Sequence, residues 1–137
     1  MPVLVWLRVA RIYQKIDHRT AETMKVWNIS VSRFDVINQI GAHEGITQQE
    51  LADVLLVTKG NITQLLDALE KEGTVERKRY GRTKRLYLTD CGRTLREGSM
   101  RDQETLLDKE FAVLDDKEMD TLLSLLRKID RSLSETG

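Results

Sequence analysis

The chain has 137 residues, 40% apolar and 32% charged, with 22 bases against 22 acids and so no net charge. That size and apolar content predict one folded domain with a real core and exclude a disordered chain. One cysteine excludes an intrachain disulfide framework and fits a reducing cytoplasm.

The elements follow from apolar spacing and capping side chains. Val3-Leu4-Val5-Trp6-Leu7 is the longest apolar run, too short to span a bilayer, and it lacks the cationic lead and cleavage site of a signal peptide. It opens a first helix over 3–27, with Val5, Val9, Ile12 and Ile16 at helical spacing and Arg8, Arg11, Lys15 and Arg19 elsewhere on its surface. Three later helix starts share one device: an apolar residue, a cap, an acid three residues on and a second apolar residue. They are Val31-Ser32 with Asp35 and Val36, Ile46-Thr47 with Glu50 and Leu51, and Leu114-Asp115 with Glu118 and Met119. Val57-Thr58 with Ile62 repeats the staple without the acid. These starts predict helices over 33–43, 48–56, 59–72 and 116–132, and Thr89 caps a further one running to about 111.

Between 74 and 88 the period changes to two. Val75, Leu86 and Leu88 alternate with Arg77, Arg85 and Tyr87, and Tyr80-Gly81 sits midway, which predicts a hairpin with half-buried roots. Residues 77–85, RKRYGRTKR, put six cations into nine positions. The charge is uneven along the chain: residues 58–96 hold ten bases and five acids, whereas 97–135 hold six and eleven. A short helix, a tight turn, a second helix and a cationic hairpin make a winged helix-turn-helix, whose partner is double-stranded DNA. The fold class is mainly α with a small β-hairpin wing, flanked by long terminal helices.

The sequence resembles the MarR (multiple antibiotic resistance regulator) family over nearly its whole length. The likeness is sharpest from "ITQQELADVLLVTKGNITQLLDALEKEGTVERK" to "LYLTDCGRTL". The family's T-x-x-L-D-x-L-x-x-x-G-x-V-x-R appears as Thr63, Leu66, Asp67, Leu69, Gly73, Val75 and Arg77, and its L-T-x-x-G as Leu88, Thr89 and Gly92. The resemblance implies a homodimer with interlaced terminal helices and two recognition helices in successive major grooves of a pseudo-palindrome. It also implies repression relieved by a small phenolic or aromatic effector. Family wings run about three residues longer and carry an acid two positions before the arginine matching Arg85; here Thr83 stands there, and the usual acid–arginine tether is missing.

Placing the stripe Ile62, Leu65, Leu66 and Leu69 inside leaves Gly60, Asn61, Thr63, Gln64, Asp67 and Lys71 outward. Asn61 and Gln64 suit adenine, Thr63 a thymine methyl or a phosphate, and Lys59 and Lys71 phosphates, with Thr58 at the helix start. Asp67 would repel phosphate and is expected to hold a wing arginine. In the wing, Arg79, Arg82 and Lys84 are the better DNA contacts beside Lys78, while Arg77 and Arg85 have acids such as Asp67 or Glu76 as alternative partners. Ser32, Arg33, Thr47, Gln48 and Gln49, at two helix starts, add phosphate contacts. The expected division is a single domain over 1–137, with residues 30–88 for DNA and residues 1–29 and 89–137 for dimerisation.

Trp6, Arg11, Tyr13 and Trp27 are candidates for an effector pocket, with Arg11 or Arg33 meeting a carboxylate, although core or interface packing is the plainer role. Cys91, in a first turn where a helix dipole favours the thiolate, has no resolving cysteine and is read as inert. His18 and His43 are too few and too far apart for a metal, and no cofactor is expected. No nucleophile with its base, carboxylate pair or phosphate loop stands at a recognisable spacing, so the chain is read as no enzyme. A constitutive or architectural DNA binder and a winged-helix protein-interaction module are the alternatives.

Overall fold

The structure, a computed structural model, describes residues 1–136. Six α-helices and one hairpin follow in the order α1 (Pro2–Met24), α2 (Val31–Ala42), α3 (Gln48–Leu55), α4 (Lys59–Lys71), β1 (Val75–Tyr80), β2 (Thr83–Leu88), α5 (Asp90–Glu110) and α6 (Asp116–Thr136). A single 3-10 turn, Lys25–Trp27, follows α1. Two compact units divide the chain, Met1–Glu104 and Thr105–Gly137.

In the first unit the core forms where α2, α3, α4 and the hairpin roots meet. Ile37, Ile40, Leu51, Ile62, Leu66, Leu69 and Leu86 are wholly buried there, with Val36, Val75 and Leu88 beside them. The spacing of Ile62, Leu66 and Leu69 is one helical stripe, so α4 is turned with its polar face outward. Thr47 caps α3 by the expected reciprocal pair: its hydroxyl accepts from Glu50 N at 3.1 Å, and Glu50 Oε1 accepts from Thr47 N at 3.1 Å. Those bonds hold the Glu50 carboxyl below its ordinary range. Thr58 caps α4 by accepting from Asn61 N at 3.2 Å.

The start of α2 differs from the sequence expectation. Ser30, not Ser32, is the cap and accepts from Arg33 N at 3.2 Å, so the helix begins at Val31. The two serines differ by half a turn, and the better-looking acid and staple spacing belonged to the wrong one. The backbone decided, because Asn28 takes a left-handed conformation at φ 56° after the 3-10 turn and leaves Ser30 extended.

Gly73, at φ 82°, ends α4 as expected and turns the chain into β1. The hairpin pairs Val75 with Leu88, Arg77 with Leu86, Arg79 with Lys84 and Tyr80 with Thr83. That leaves Gly81-Arg82 as a two-residue turn, for which Gly81 supplies φ 62°. Thr89 then works twice. Its hydroxyl donates to Gly73 O at 2.6 Å and accepts from Gly92 N at 3.1 Å, so α5 starts against the end of α4.

In the second unit Asp115 and Glu118 form the expected reciprocal cap of α6. Leu122, Leu126, Ile129 and Leu133 follow at i, i+4, i+7 and i+11. The last three are 44%, 53% and 66% exposed. Among the described residues no helix is long and apolar enough to cross a membrane.

The packing of α5 on the β1 root leaves no room at Gly92, where an added Cβ would lie 2.1 Å from the Thr74 carbonyl oxygen. Gly92→Ala is therefore expected to cost about 1–3 kcal/mol in urea unfolding. Gly60→Ala, in α4 where the nearest atom is 4.0 Å away, serves as the control and should be neutral or slightly stabilising.

Candidate nucleic-acid interface

The outward face of α4 and the hairpin are joined by side chains whose chemistry is fixed by their surroundings. Arg77, only 15% exposed, sends Nη2 to Asp67 Oδ1 at 2.5 Å and to Glu70 Oε1 at 3.0 Å. Both acids lie on α4, so one guanidinium ties β1 to the helix. Asp67 thus holds a wing arginine, as expected. Hydrogen bonding from Arg77 keeps the Glu70 carboxyl below its ordinary 4.5. The same bonds raise Arg77, which stays charged throughout. Arg77 therefore faces protein acids, the alternative role expected for it beside DNA contact, with Nε and Nη2 directed at the helix.

β2 has its own anchor. Arg85 donates from Nη1 to the Gly45 carbonyl at 2.9 Å. The backbone adds Leu86 N to Ile46 O at 2.9 Å and Gly45 N to Leu86 O at 2.8 Å, with a bridge between Thr47 and Arg85. Glu44 Oε2 accepts from Leu88 N at 3.2 Å. The hairpin root is consequently fixed to the loop that launches α3. Sequence inspection missed Gly45 because a backbone carbonyl has no residue signature.

Beyond those anchors the cations are displayed. Arg79, Arg82 and Lys84 are exposed at the tip, as is Lys59 at the start of α4. Lys78 is exposed too, with Nζ 4.9 Å from the centre of the Tyr87 ring, where a cation–π contact orients it. Arg82 and Lys84 join Thr47, Gln48, Gln49, Lys59 and Thr63 around an open cleft of about 490 Å³ between α3, α4 and the wing. Asn61 and Gln64 are exposed on the same helix.

The residues at the helix starts are less free than their types suggest. Gln49 Nε2 donates to Asp53 Oδ1 at 2.9 Å, and Gln48 Nε2 to Thr63 Oγ1 at 2.9 Å. Arg33 is paired with Glu72 at the end of α4, so its guanidinium braces the unit. Ser32 is exposed in the first turn of α2.

The four effector candidates do not converge within one chain. Trp6 and Tyr13 are 66% and 68% exposed on α1. Trp27 lies about 30 Å beyond Trp6 and about 20 Å beyond Tyr13 at about 1.5 Å per residue. There its indole fits over Gly98 and donates to Asp102 Oδ2 at 2.8 Å. Arg11 lines a separate shallow surface with Lys15, His18 and Arg19. Within one chain the length of α1 keeps Trp6 and Trp27 apart.

Comparison with known proteins places these features among relatives. A family model described as "MarR family" matches residues 27–86. An uncharacterised HTH-type transcriptional regulator from Bacillus cereus is 33% identical over 129 residues, covering 93% of this chain and 88% of the relative. The crystal structure of a mutant MarR from E. coli complexed with operator DNA superposes with a TM-score of 0.83 at 28% identity, over 93% of this chain and 94% of that one. A MarR transcriptional regulator from Methanosarcina mazei Go1 shares the fold with a TM-score of 0.89 at 20% identity, covering 98% of this chain and 92% of that one.

The pairing of Arg77 with Glu70 carries a pH signature. A carboxyl held below 4.5 in the folded state contributes stability above that value and loses it as pH falls through the folded pKa. Glu70→Gln should be less stable than the parent at neutral pH by up to about 1 kcal/mol, since the pair is partly exposed. In urea melts the gap should narrow as the pH falls below 4.5 and through the lowered folded-state pKa of Glu70.

Proposed function

The chain belongs to the MarR family of winged helix-turn-helix transcription regulators, and from that premise we propose that it is a homodimeric repressor of a pseudo-palindromic operator. The observation that carries this reading is the exposed cationic wing tip, whose Arg82 and Lys84 line the same cleft as Lys59 and Thr63 of α4 and whose Arg79 is exposed on the strand beside them. A helix of this size fits a major groove, and a β-hairpin with cationic sides reaches the adjacent backbone or minor groove. In this reading Asn61, Thr63 and Gln64 meet base edges, Lys59 and the wing tip meet phosphates, and Arg77, Arg85 and Arg33 hold the parts in place. Thr47 and Thr58 serve through the helix N-termini they cap, whose N–H groups favour an anion.

Dimerisation is supported by apolar side chains left uncovered on α1 and, separately, on α6. Leu4, Trp6 and Leu7 are each more than half exposed, and Ile129 and Leu133 likewise. Stripes of that extent normally meet a partner, and a second copy satisfies them symmetrically. Residues 30–88 then form the DNA-binding part and residues 1–29 and 89–137 the dimerisation part. The relief of repression by a small aromatic or phenolic acid rests on the family resemblance alone.

Selection of duplexes from a random pool, followed by gel shift, tests the reading. The parent should enrich a two-fold symmetric site and sediment as a dimer. Reversing Arg79, Arg82 and Lys84 to Glu together should weaken binding by at least about a hundredfold, since phosphate contacts dominate affinity. The dimer should persist. Salicylate in a parallel lane should release the parent if the effector part holds. Unchanged binding by the triple variant would contradict the assignment of the wing.

A further inference from the structure

Thr63 sits on the outward face of α4 with every polar option already committed but one. Its hydroxyl donates its only hydrogen to the Lys59 carbonyl at 2.8 Å. The same oxygen accepts from Gln48 Nε2 at 2.9 Å, across from α3. The direction of each bond is forced. Because the Thr63 hydrogen points at a carbonyl, Thr63 is the acceptor towards Gln48, and the amide must present its nitrogen. The amide oxygen of Gln48 is consequently turned away, buried and without a partner among the described residues.

This arrangement decides between the two roles open to a threonine at a DNA surface. Phosphate oxygens only accept, so a hydroxyl whose hydrogen is spent has nothing to offer them. The base-edge acceptors of guanine and adenine are refused for the same reason. What remains is one lone pair, hemmed between the two hydrogen bonds and able to accept only from an adenine or cytosine amino group, and the γ-methyl group, on the branch of the side chain that those bonds do not occupy. Thr63 lines the cleft shared with Lys59, Arg82 and Lys84, so the residue is accessible from the side the wing overlooks. Threonine's β-branching leaves few rotamers in a helix, and its back-bond to the carbonyl four residues earlier selects one. The methyl is thus held in place.

We infer that Thr63 is a specificity-determining residue that recognises the C5-methyl group of a thymine in the major groove, with Gln48 holding it in that pose. An apolar contact of this kind is one of the few ways to tell thymine from the other bases. The inference rests on the DNA-binding reading above and deepens it at one base position.

The test uses the duplex enriched by the parent protein, with its thymines replaced one at a time by deoxyuridine, which lacks only the methyl. The parent should lose about fourfold in affinity per half-site at one thymine, the worth of a single buried carbon. Thr63→Ser keeps both hydrogen bonds and gives up the methyl. It should bind thymine and deoxyuridine duplexes equally at that position, with an unchanged melting temperature. Parent protein indifferent to deoxyuridine at every position would overturn the inference while leaving DNA binding intact. A preference retained in Thr63→Ser would overturn the assignment to Thr63. Failure to enrich any duplex would instead overturn the DNA-binding reading itself.

Discussion

A surface made of a helix and a β-ribbon can match a duplex only if the spacing between the two is held. Here that spacing depends on Arg77. Its guanidinium, nearly buried between the root of β1 and α4, bonds Asp67 and Glu70 on successive turns of the helix. A planar fork engaging two acids fixes direction as well as distance, which a lysine at the same place would not do. Exposed ion pairs contribute little to stability, so the value of this one lies in geometry. Arg85 and the short backbone ladder through Ile46 do the same for β2. Each strand of the wing is therefore anchored to a different part of the helix-turn-helix.

That anchoring divides the cations into two groups. Arg33, Arg77 and Arg85 are each bonded to a protein oxygen, Arg85 through one nitrogen while its side chain stays exposed. Arg82, Lys84 and Lys59 stand exposed around the cleft, and Arg79 is exposed on β1 opposite Lys84. A cluster of like charges on a mobile loop would repel itself apart and lose entropy on binding. Built on a fixed hairpin, the same cluster is paid for by folding, and an anion meets it already arranged. The inward stripe of α4 works to the same end, because the burial of Ile62, Leu66 and Leu69 sets which side chains of that helix can face outward.

Much of this was legible in the sequence because it follows from local rules. The α4 stripe, the glycine at φ 82° after it, the Thr47 and Asp115 capping pairs and the alternating hairpin roots each depend on residues within a few positions of one another. Asp67 was readable as a partner for a wing arginine from charge logic alone. The failures share a different cause. Ser32 had the better local pattern, but the conformation of Asn28 gave the cap to Ser30. Arg85 found the carbonyl of Gly45, forty residues away and invisible to any residue pattern. The pairing of Gln48 with Thr63 required α3 and α4 to be placed before it could be seen. Trp6 and Trp27 looked like a pocket by composition, and the length of an unbroken helix separates them.

The most direct measurement of the claim that α4 and the wing form one phosphate-facing surface is the salt dependence of binding to the selected duplex. With about four to six phosphates neutralised per subunit, the logarithm of the binding constant should fall against that of salt with a slope of roughly −7 to −11 for the dimer. A slope near zero, with binding intact, would contradict it.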